Sequence, residues 1–474
     1  MPEEAAALLA PPSVRGPSRQ RLALLVLAVV AAIGVWHGAR WRWHWSRSEQ
    51  RLATNTTAYD RHFATKTAYW DQRLIETSRN SHRRLRAHAD SAMRLVQSQL
   101  IARHGIRYPT LHPIKDVQAL LLKLAPHAHR LPSWLHAYQL PYNETVEGML
   151  AASGRLEMQR LAVRMLAAHS HGSAKAVYSP TTHEISHTAV ARTKDSAVAF
   201  VAEYFANPED VQYVSHVKQN DTLLRFFDVC EKYQTHVKRN ASAIDEVRAF
   251  AQSSATMQNR RELSHALGLT NPATDPILTT SDVTAAFSAC AFDVSLYGIH
   301  DQWCSLFTPR MVHSLDFYDD LKAFYQLAGG YPINYEMAAV LLQDIVRIMD
   351  ARITGSSSLA AAFRFAHAET TLPLMTLIGF GDRRPLKAAE SLDGIARRGF
   401  RTSVLAPFGA NIEFRLYEDS RRGGSMFFVQ ILVNEREDIV IPGCDSVLCP
   451  LETLKARVWK RYLYNYDFRQ QCEM

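Results

Sequence analysis

The run Leu95-Val96-Gln97-Ser98-Gln99-Leu100-Ile101-Ala102 passes without a break into Arg103-His104-Gly105-Ile106-Arg107-Tyr108-Pro109-Thr110. Its first half alternates, with Val96, Leu100 and Ala102 opposite Gln97 and Gln99, and predicts a strand. The second half then falls at the carboxyl edge of a sheet, where ligands sit in α/β folds. Two arginines flank a histidine there, beside a glycine that allows close backbone approach, and this suits a tetrahedral oxyanion. Guanidinium groups bind phosphate bidentately and keep their charge. A neutral imidazole among them can attack phosphorus and carry it covalently. An arbitrary R-H-G tripeptide would mean no more than a solvated basic turn, but the full string is much rarer.

Outward from this stretch, helical periodicity dominates from about 112 to 170, from 196 to 265 and from 313 to 350, and strand-like patterns return at 361–365, 411–417 and 427–433. Strands at both ends with helices between them predict an α/β core, 93–199 and 351–474, carrying a helical insertion at 200–350. The strand ending Phe363-Arg364-Phe365-Ala366 leads into His367-Ala368-Glu369-Thr370, then an apolar helix from about Leu372 to Ile378 with Pro373 near its first turn. A histidine and a carboxylate two residues apart at such a junction would supply a further phosphate donor and a proton for a leaving oxygen.

The chain has 474 residues, 47% of them hydrophobic, with no internal repeat and no long low-complexity tract. That is ordinary globular composition, enough for two or three domains or for one large one with an insertion. The formal charge of +8 is unevenly placed: residues 1–51 hold seven arginines against three glutamates. The remainder is too dilute for a phosphate-backbone footprint, which argues against a nucleic-acid partner. The uncharged run Leu22 to Trp36, flanked by Arg15, Arg19, Arg21, Arg40 and Arg42, reads as a targeting element. A span wants about 20 apolar residues, reached here if Gly38, Ala39 and Trp41 extend it. We expect an uncleaved signal anchor at 21–39 with a cytosolic tail at 1–20 and a polar stem at 40–92. A cleaved signal peptide is the alternative, although no small-x-small site follows Trp36. Either way most of the chain is lumenal or extracellular, and its last residues, Gln471-Cys472-Glu473-Met474, are not a lumenal retention signal.

Six cysteines without a C-x-x-C pair read as disulfides, which allows fifteen pairings. Cys444 and Cys449 enclose four residues and Cys290 and Cys304 thirteen, spans that loops readily close, and that choice would leave Cys230 with Cys472. Asn55, Asn143, Asn220 and Asn240 lie in glycosylation sequons.

The R-H-G-x-R-x-P string resembles the signature of the histidine phosphatase superfamily in its acid phosphatase and phytase branch. Further segments look like the multiple inositol polyphosphate phosphatases: Thr65 to Tyr69 (TKTAY), Leu224 to Lys232 (LRFFDVCEK), Ile333 to Met337 (INYEM), His367 to Thr370 (HAET) and Pro442 to Leu451 (PGCDSVLCPL). The resemblance runs from about 60 to 470. It implies a phosphoglycerate-mutase-like α/β core with an inserted helical cap, and a phosphomonoesterase that needs no metal or cofactor and acts on phosphorylated small molecules, phytate foremost. It makes His104 the nucleophile, Arg103 and Arg107 phosphate clamps, His367 a further phosphate donor, and Glu369 the general acid, with an optimum on the acid side of neutrality. Arg192, ahead of Asp195-Ser196-Ala197, fits the family's third clamp, although Val190 and Ala191 stand where members often carry a basic residue.

Other readings remain. A broader acid phosphatase or a 2,3-bisphosphoglycerate phosphatase would use the same residues, and a non-catalytic pseudophosphatase would keep the fold as a binding module. His183-Glu184-Ile185-Ser186-His187 satisfies H-E-x-x-H, with Glu203 as an imaginable third zinc ligand, but such histidines must lie one turn apart on a helix. Pro180 and two threonines before the motif and Thr188 and Val190 after it predict a loop or strand instead. A Walker loop and a G-x-S-x-G elbow are absent.

Overall fold

A computed structural model describes residues 61–69, 93–169, 174–421 except 272, 274 and 276, and 425–474. The expected tail and anchor, most of the stem and the Asn55 sequon lie outside the described residues. Among the described residues no helix is long and apolar enough to cross a membrane.

Seven strands form one mixed sheet: β1 (Met93–Arg103), β2 (His183–His187), β3 (Tyr213–Val214), β4 (Ala361–Ala366), β5 (Asn411–Asp419), β6 (Met426–Val433) and β7 (Cys449–Pro450), in the order β3-β2-β4-β1-β5-β6-β7. β1, β4, β2 and β3 run parallel, and β5, β6 and β7 continue the sheet antiparallel. Eight main helices surround it: α1 (Leu111–Leu124), α2 (Ala152–His169), α3 (Ala191–Tyr204), α4 (Ser254–Ala266), α5 (Thr280–Phe292), α6 (Pro309–Leu327), α7 (Ala339–Ile353) and α8 (Ala368–Leu377).

The alternation in β1 does not mark a solvent face, because Val96 to Arg103 are all buried. Leu100 and Ala102 pack on α2 and α3 with Met158, Leu161 and Phe200. Gln97 and Gln99 point the other way, beneath α7. There the Gln99 amide donates to the Ile345 carbonyl at 2.9 Å and the Gln97 amide to the Leu359 carbonyl at 2.9 Å. Buried amides satisfied in this way cost little, so the polar residues record a helix overhead and not water.

Between β3 and β4 lies the helical layer, with two departures from the expected boundaries. Its core joins α4, α5 and the start of α6 to α1, from outside the 200–350 span: Val117 and Leu120 share one cluster with Leu263, Ala286 and Met311. Phe63 enters the same cluster and meets the Phe287 ring at 5.6 Å. Part of the expected stem is therefore core, since 61–69 carries buried Phe63, Ala64 and Thr67. Core and helical layer belong to one compact unit, Thr57–Met474. Helix α5 escaped the periodicity reading because it is buried nearly all round, which leaves no amphipathic stripe. Helix α8 starts earlier than expected, at Ala368, which places Pro373 inside it and not in its first turn.

The cysteines form three disulfides, Cys230–Cys472, Cys290–Cys304 and Cys444–Cys449. Such bonds mark a chain of an oxidising compartment, lumenal or extracellular. Asn143, Asn220 and Asn240 are exposed.

Candidate functional site

Adjacent parallel pairing sets Arg103 of β1 opposite Ala366 of β4, so both strands release their chains at the same sheet edge. The string beginning at His104 and the string beginning at His367 leave side by side, although 262 residues separate them. The two imidazoles lie with ring centroids 5.7 Å apart.

Main-chain bonds hold the first loop on every side. The Arg103 amide donates to Ala410 O (2.8 Å), the His104 amide to Ala366 O (3.0 Å), and the Tyr108 amide to Met149 O (2.9 Å). The Gly105 amide donates to Ser196 Oγ (3.1 Å) and the Ile106 amide to Glu157 Oε2 (2.9 Å). Glu157 Oε1 also accepts from the Tyr69 amide at 2.7 Å, so one carboxyl ties the loop to the 61–69 segment. Gly105 does allow a close backbone approach, but to helix α2. A Cβ on Gly105 would strike the Gly154 carbonyl, and one on Gly154 would stand 2.6 Å from the Ile106 amide nitrogen.

His104 is buried, and its Nδ1 lies 2.9 Å from the Gly105 carbonyl. A carbonyl only accepts, so Nδ1 carries the proton and Nε2 keeps its lone pair. Burial, then Arg103, Arg192, His367 and Arg107, hold this imidazole well below its ordinary value. It stays neutral in mild acid, as a nitrogen nucleophile requires.

The guanidinium groups converge on it. Arg103 donates to Thr65 O (2.6 Å) and Ala406 O (2.8 Å) and lies 4.5 Å over the Phe408 ring. Burial and the Arg107 charge push it down to about 9. Arg107 donates to Tyr108 O (2.8 Å), and burial, then Arg192, pushes it down to about 10. Arg192, near the start of α3, brings Nη2 to 3.4 Å from His367 Nδ1, and burial lowers it too. The Nε of each is buried with no hydrogen-bond partner among the described residues. Three cations, Arg103 buried and Arg107 and Arg192 half-buried, each with an unmet Nε donor, make a site for an anion with several acceptor oxygens.

His367 stands at the N-cap position of α8 without bonding to it through its side chain, and burial, then Arg192, Arg225 and Arg103, keep it well below its ordinary value. Glu369, in the first turn of α8, is partly exposed and has no ion-pair partner among the described residues. Its charge acts on Arg103, Arg107 and Arg192. The six residues singled out as phosphate chemistry therefore gather at one edge of the sheet. Four further participants were not singled out. Arg225 and Thr188 both contact His367 Nε2 (2.8 and 2.9 Å), and Glu157 and Ser196 hold the loop; Arg225, Ser196 and Thr188 lay in stretches quoted for other reasons, and Glu157 in none.

The H-E-x-x-H string lies on β2, where residues four apart are separated by about 13 Å along the strand. His183 packs on Phe205 (4.9 Å) and His187 donates to the Thr188 carbonyl (2.8 Å), while Glu203 pairs with Lys175 at 3.4 Å. This arrangement separates the imagined zinc ligands.

A family profile described as "Histidine phosphatase superfamily (branch 2)" matches residues 94–434. Multiple inositol polyphosphate phosphatase 1 of Homo sapiens is 30% identical over 415 residues, covering 80% of this chain and 82% of its own length. That of Gallus gallus is 29% identical, covering 80% and 84%. Among solved structures, the phytase from D. castellii superposes with a TM-score of 0.68 at 17% identity, over 81% of this chain and 82% of its own. A Bifidobacterium longum multiple inositol polyphosphate phosphatase, in complex with inositol hexasulfate, gives 0.67 at 17% identity over 84% and 97%. At that identity the structures speak for the fold.

Because Gly154 has no room for a side chain, Gly154→Ala should displace the 104–107 loop. We expect phosphatase activity to fall by on the order of 100-fold, as a misplacement of about 1 Å at a reacting group costs. A variant with wild-type kcat/KM would show that the packing of Gly105 on Gly154 does not position the loop.

Proposed function

The chain belongs to the histidine phosphatase superfamily, branch 2, and on that footing we propose that it hydrolyses inositol polyphosphates, phytate foremost, through a phosphohistidine on His104. The enzyme class, phosphoric monoester hydrolase, follows from that membership. The substrate class is supported by its relatives, multiple inositol polyphosphate phosphatases of Homo sapiens and Gallus gallus. The observation that carries the mechanism is the 2.9 Å contact of His104 Nδ1 with the Gly105 carbonyl, which leaves Nε2 unprotonated among three guanidinium groups.

In the first step Nε2 forms a bond to phosphorus as the ester P–O bond breaks, and Glu369 gives its proton to the leaving alkoxide. Arg103, Arg107 and Arg192 neutralise the three equatorial oxygens, and the neutral His367 ring donates an N–H to them, so that their charge is met without reorganisation. In the second step water attacks phosphorus, Glu369 takes its proton, and the P–N bond breaks to release phosphate and neutral His104. The helix N-terminus beneath Glu369 adds a fixed positive potential beside the phosphate. No step asks for a metal.

Phosphate release from phytate by the wild type, in the presence of chelator and set beside a simple monoester, tests the reading together with His104→Ala. The variant should lose essentially all release and fail to take up acid-labile label. Substantial release by His104→Ala would overturn the mechanism, and equal kcat/KM for phytate and the monoester would overturn the substrate class.

The lowered values of both histidines fix a pH dependence. The free enzyme's nucleophile is active when neutral and is held neutral below the ordinary imidazole value of about 6.5. We expect kcat/KM to hold between pH 6.5 and 5. A tenfold fall per unit over that interval would mean that His104 protonates like an exposed histidine.

We propose also that Leu22 to Trp36 remains in the mature protein as a membrane anchor and that the exposed sequons Asn143, Asn220 and Asn240 carry glycans. Support comes from the arginine-flanked apolar run and the disulfides. After alkaline carbonate extraction the glycosylated protein should stay with the membranes, and its appearance intact in the supernatant would refute the anchor.

A further inference from the structure

His367 is pinned at both ring nitrogens by groups that do not agree about its proton. Nε2 lies 2.8 Å from Arg225 Nη1 and 2.9 Å from Thr188 Oγ1, while Nδ1 looks toward Arg192 Nη2 at 3.4 Å. Thr193 Oγ1, 2.9 Å from Thr188 Oγ1, sends its own proton to the carbonyl of Thr188 or Val190. The Thr188 hydroxyl therefore has two choices. It can donate to His367 Nε2, or donate to Thr193 and accept an N–H from His367. The threonine pair by itself supports either tautomer.

A guanidinium carries donors and no acceptor. We propose that Arg225 is the residue that decides the tautomer of His367. By donating to Nε2 at 2.8 Å, the shorter of the two guanidinium contacts, it leaves the single ring proton on Nδ1, beside Arg192, whose Nε has no partner among the described residues. A phosphate oxygen placed there would meet an N–H from each. With the opposite tautomer the oxygen would meet a bare nitrogen lone pair. Arg225 is thus a positioning residue, acting through His367.

Its own placement fits that role. Arg225 is buried, its guanidinium lies 5.2 Å from the Phe227 ring, and it pairs with the exposed carboxylate of Asp228. The Arg225 amide donates to Asp221 O (3.1 Å), and the helical turn Phe226–Val229 ends at Cys230, which the Cys230–Cys472 disulfide ties to the chain's last helical turn. The Thr370 hydroxyl, three residues beyond His367, donates to Leu224 O at 2.7 Å, which locks the two segments in register. The inference rests on the proposed phosphatase reading for its kinetic consequence, but its spectroscopic consequence is independent of any substrate.

The test uses the full chain with 15N-labelled histidine, with His367 assigned by His367→Asn, and compares wild type, Arg225→Met and Arg225→Lys. Long-range 1H–15N correlation should show the Nδ1–H tautomer in the wild type and in Arg225→Lys, and a mixture in Arg225→Met. Phytate turnover by Arg225→Met should fall chiefly in kcat, by on the order of 10- to 100-fold, as when a group that fixes a histidine's tautomer is lost. Arg225→Lys, still a donor-only cation, should restore most of it. An Nε2–H tautomer in the wild type, an unchanged spectrum in Arg225→Met, or a lysine variant no better than methionine would each overturn the proposal. Should Arg225→Met fail to fold, the wild-type spectrum still decides, since an Nε2–H tautomer there overturns the proposal. A wild type that released no phosphate would sink the phosphatase reading alone, leaving the spectra to decide the role of Arg225.

Discussion

Buried like charge is the constraint that the rest of this site answers to. Burial disfavours the charge on Arg103, Arg107 and Arg192, and the neighbouring cations lower it further: Arg107 and Arg192 act on Arg103, Arg192 on Arg107, and Arg225 on Arg192. Uncompensated charges of this kind cost several kcal/mol each, so the fold must supply partial negative charge without filling the space that the ligand needs. It does so mainly with carbonyl oxygens. Thr65, Ala406 and Tyr108 each give one to a guanidinium, and Phe408 presents its ring face to Arg103. Asp228, paired with Arg225, is exposed and Glu369 is half-buried. What remains unmet is a set of Nε donors turned inward. An oxyanion with three or more acceptors satisfies them, and water does so poorly because it brings no charge.

This explains why so short a motif needs so large a scaffold. Thr65 comes from the segment before the sheet, Ala406 and Phe408 from the connection into β5, and Tyr108 from the loop itself. Each carbonyl is useful only when its peptide is held rigidly, and the holding is done elsewhere. Phe63 is buried among the helices beside Phe287, the Ala64 amide donates to Asp316 of α6 at 2.8 Å, and Lys66 pairs with Asp319 at 2.6 Å. The helical layer therefore reaches the catalytic edge through the 61–69 segment as well as through the space above it.

How much of this could be read in the chain follows from where each signal resides. The strand and the loop at 95–110 are local, and an alternating run ended by R-H-G-x-R declares both periodicity and chemistry. His367 and Glu369 were legible for the same reason, at a second strand end. Arg192 was assigned only through the family resemblance, which puts a clamp arginine ahead of Asp195-Ser196-Ala197. Arg225 and Thr188 were invisible as functional groups, because their work consists of contacts to one imidazole more than a hundred residues away, and a threonine after a strand or an arginine before Phe-Phe carries no local mark. Gly105 was noticed for the right property, close approach, but the partner is Gly154, whose own lack of a side chain means nothing until the two are opposed. The 61–69 segment looked like stem because three buried side chains in nine residues make no period.

The titratable groups show how such a site can persist in mild acid. A carboxyl whose value is raised in the folded chain binds its proton more tightly folded than unfolded, so its contribution to stability grows as pH falls from its folded value toward its ordinary one. Glu157 and Asp293 are each pushed up to about 7 by burial, and Asp320 is raised by burial and by Asp316. Their effect between neutrality and about pH 4.5 is stabilising as pH falls. Buried His104 and His367, lowered in the folded chain, act with the opposite sign: the unfolded chain takes up protons below about 6.5 that the folded chain refuses. The two sets oppose each other over the same interval. The imidazoles can therefore be kept neutral for nucleophilic attack and for donation while buried carboxyls such as Asp293 and Asp320 offset the cost in stability.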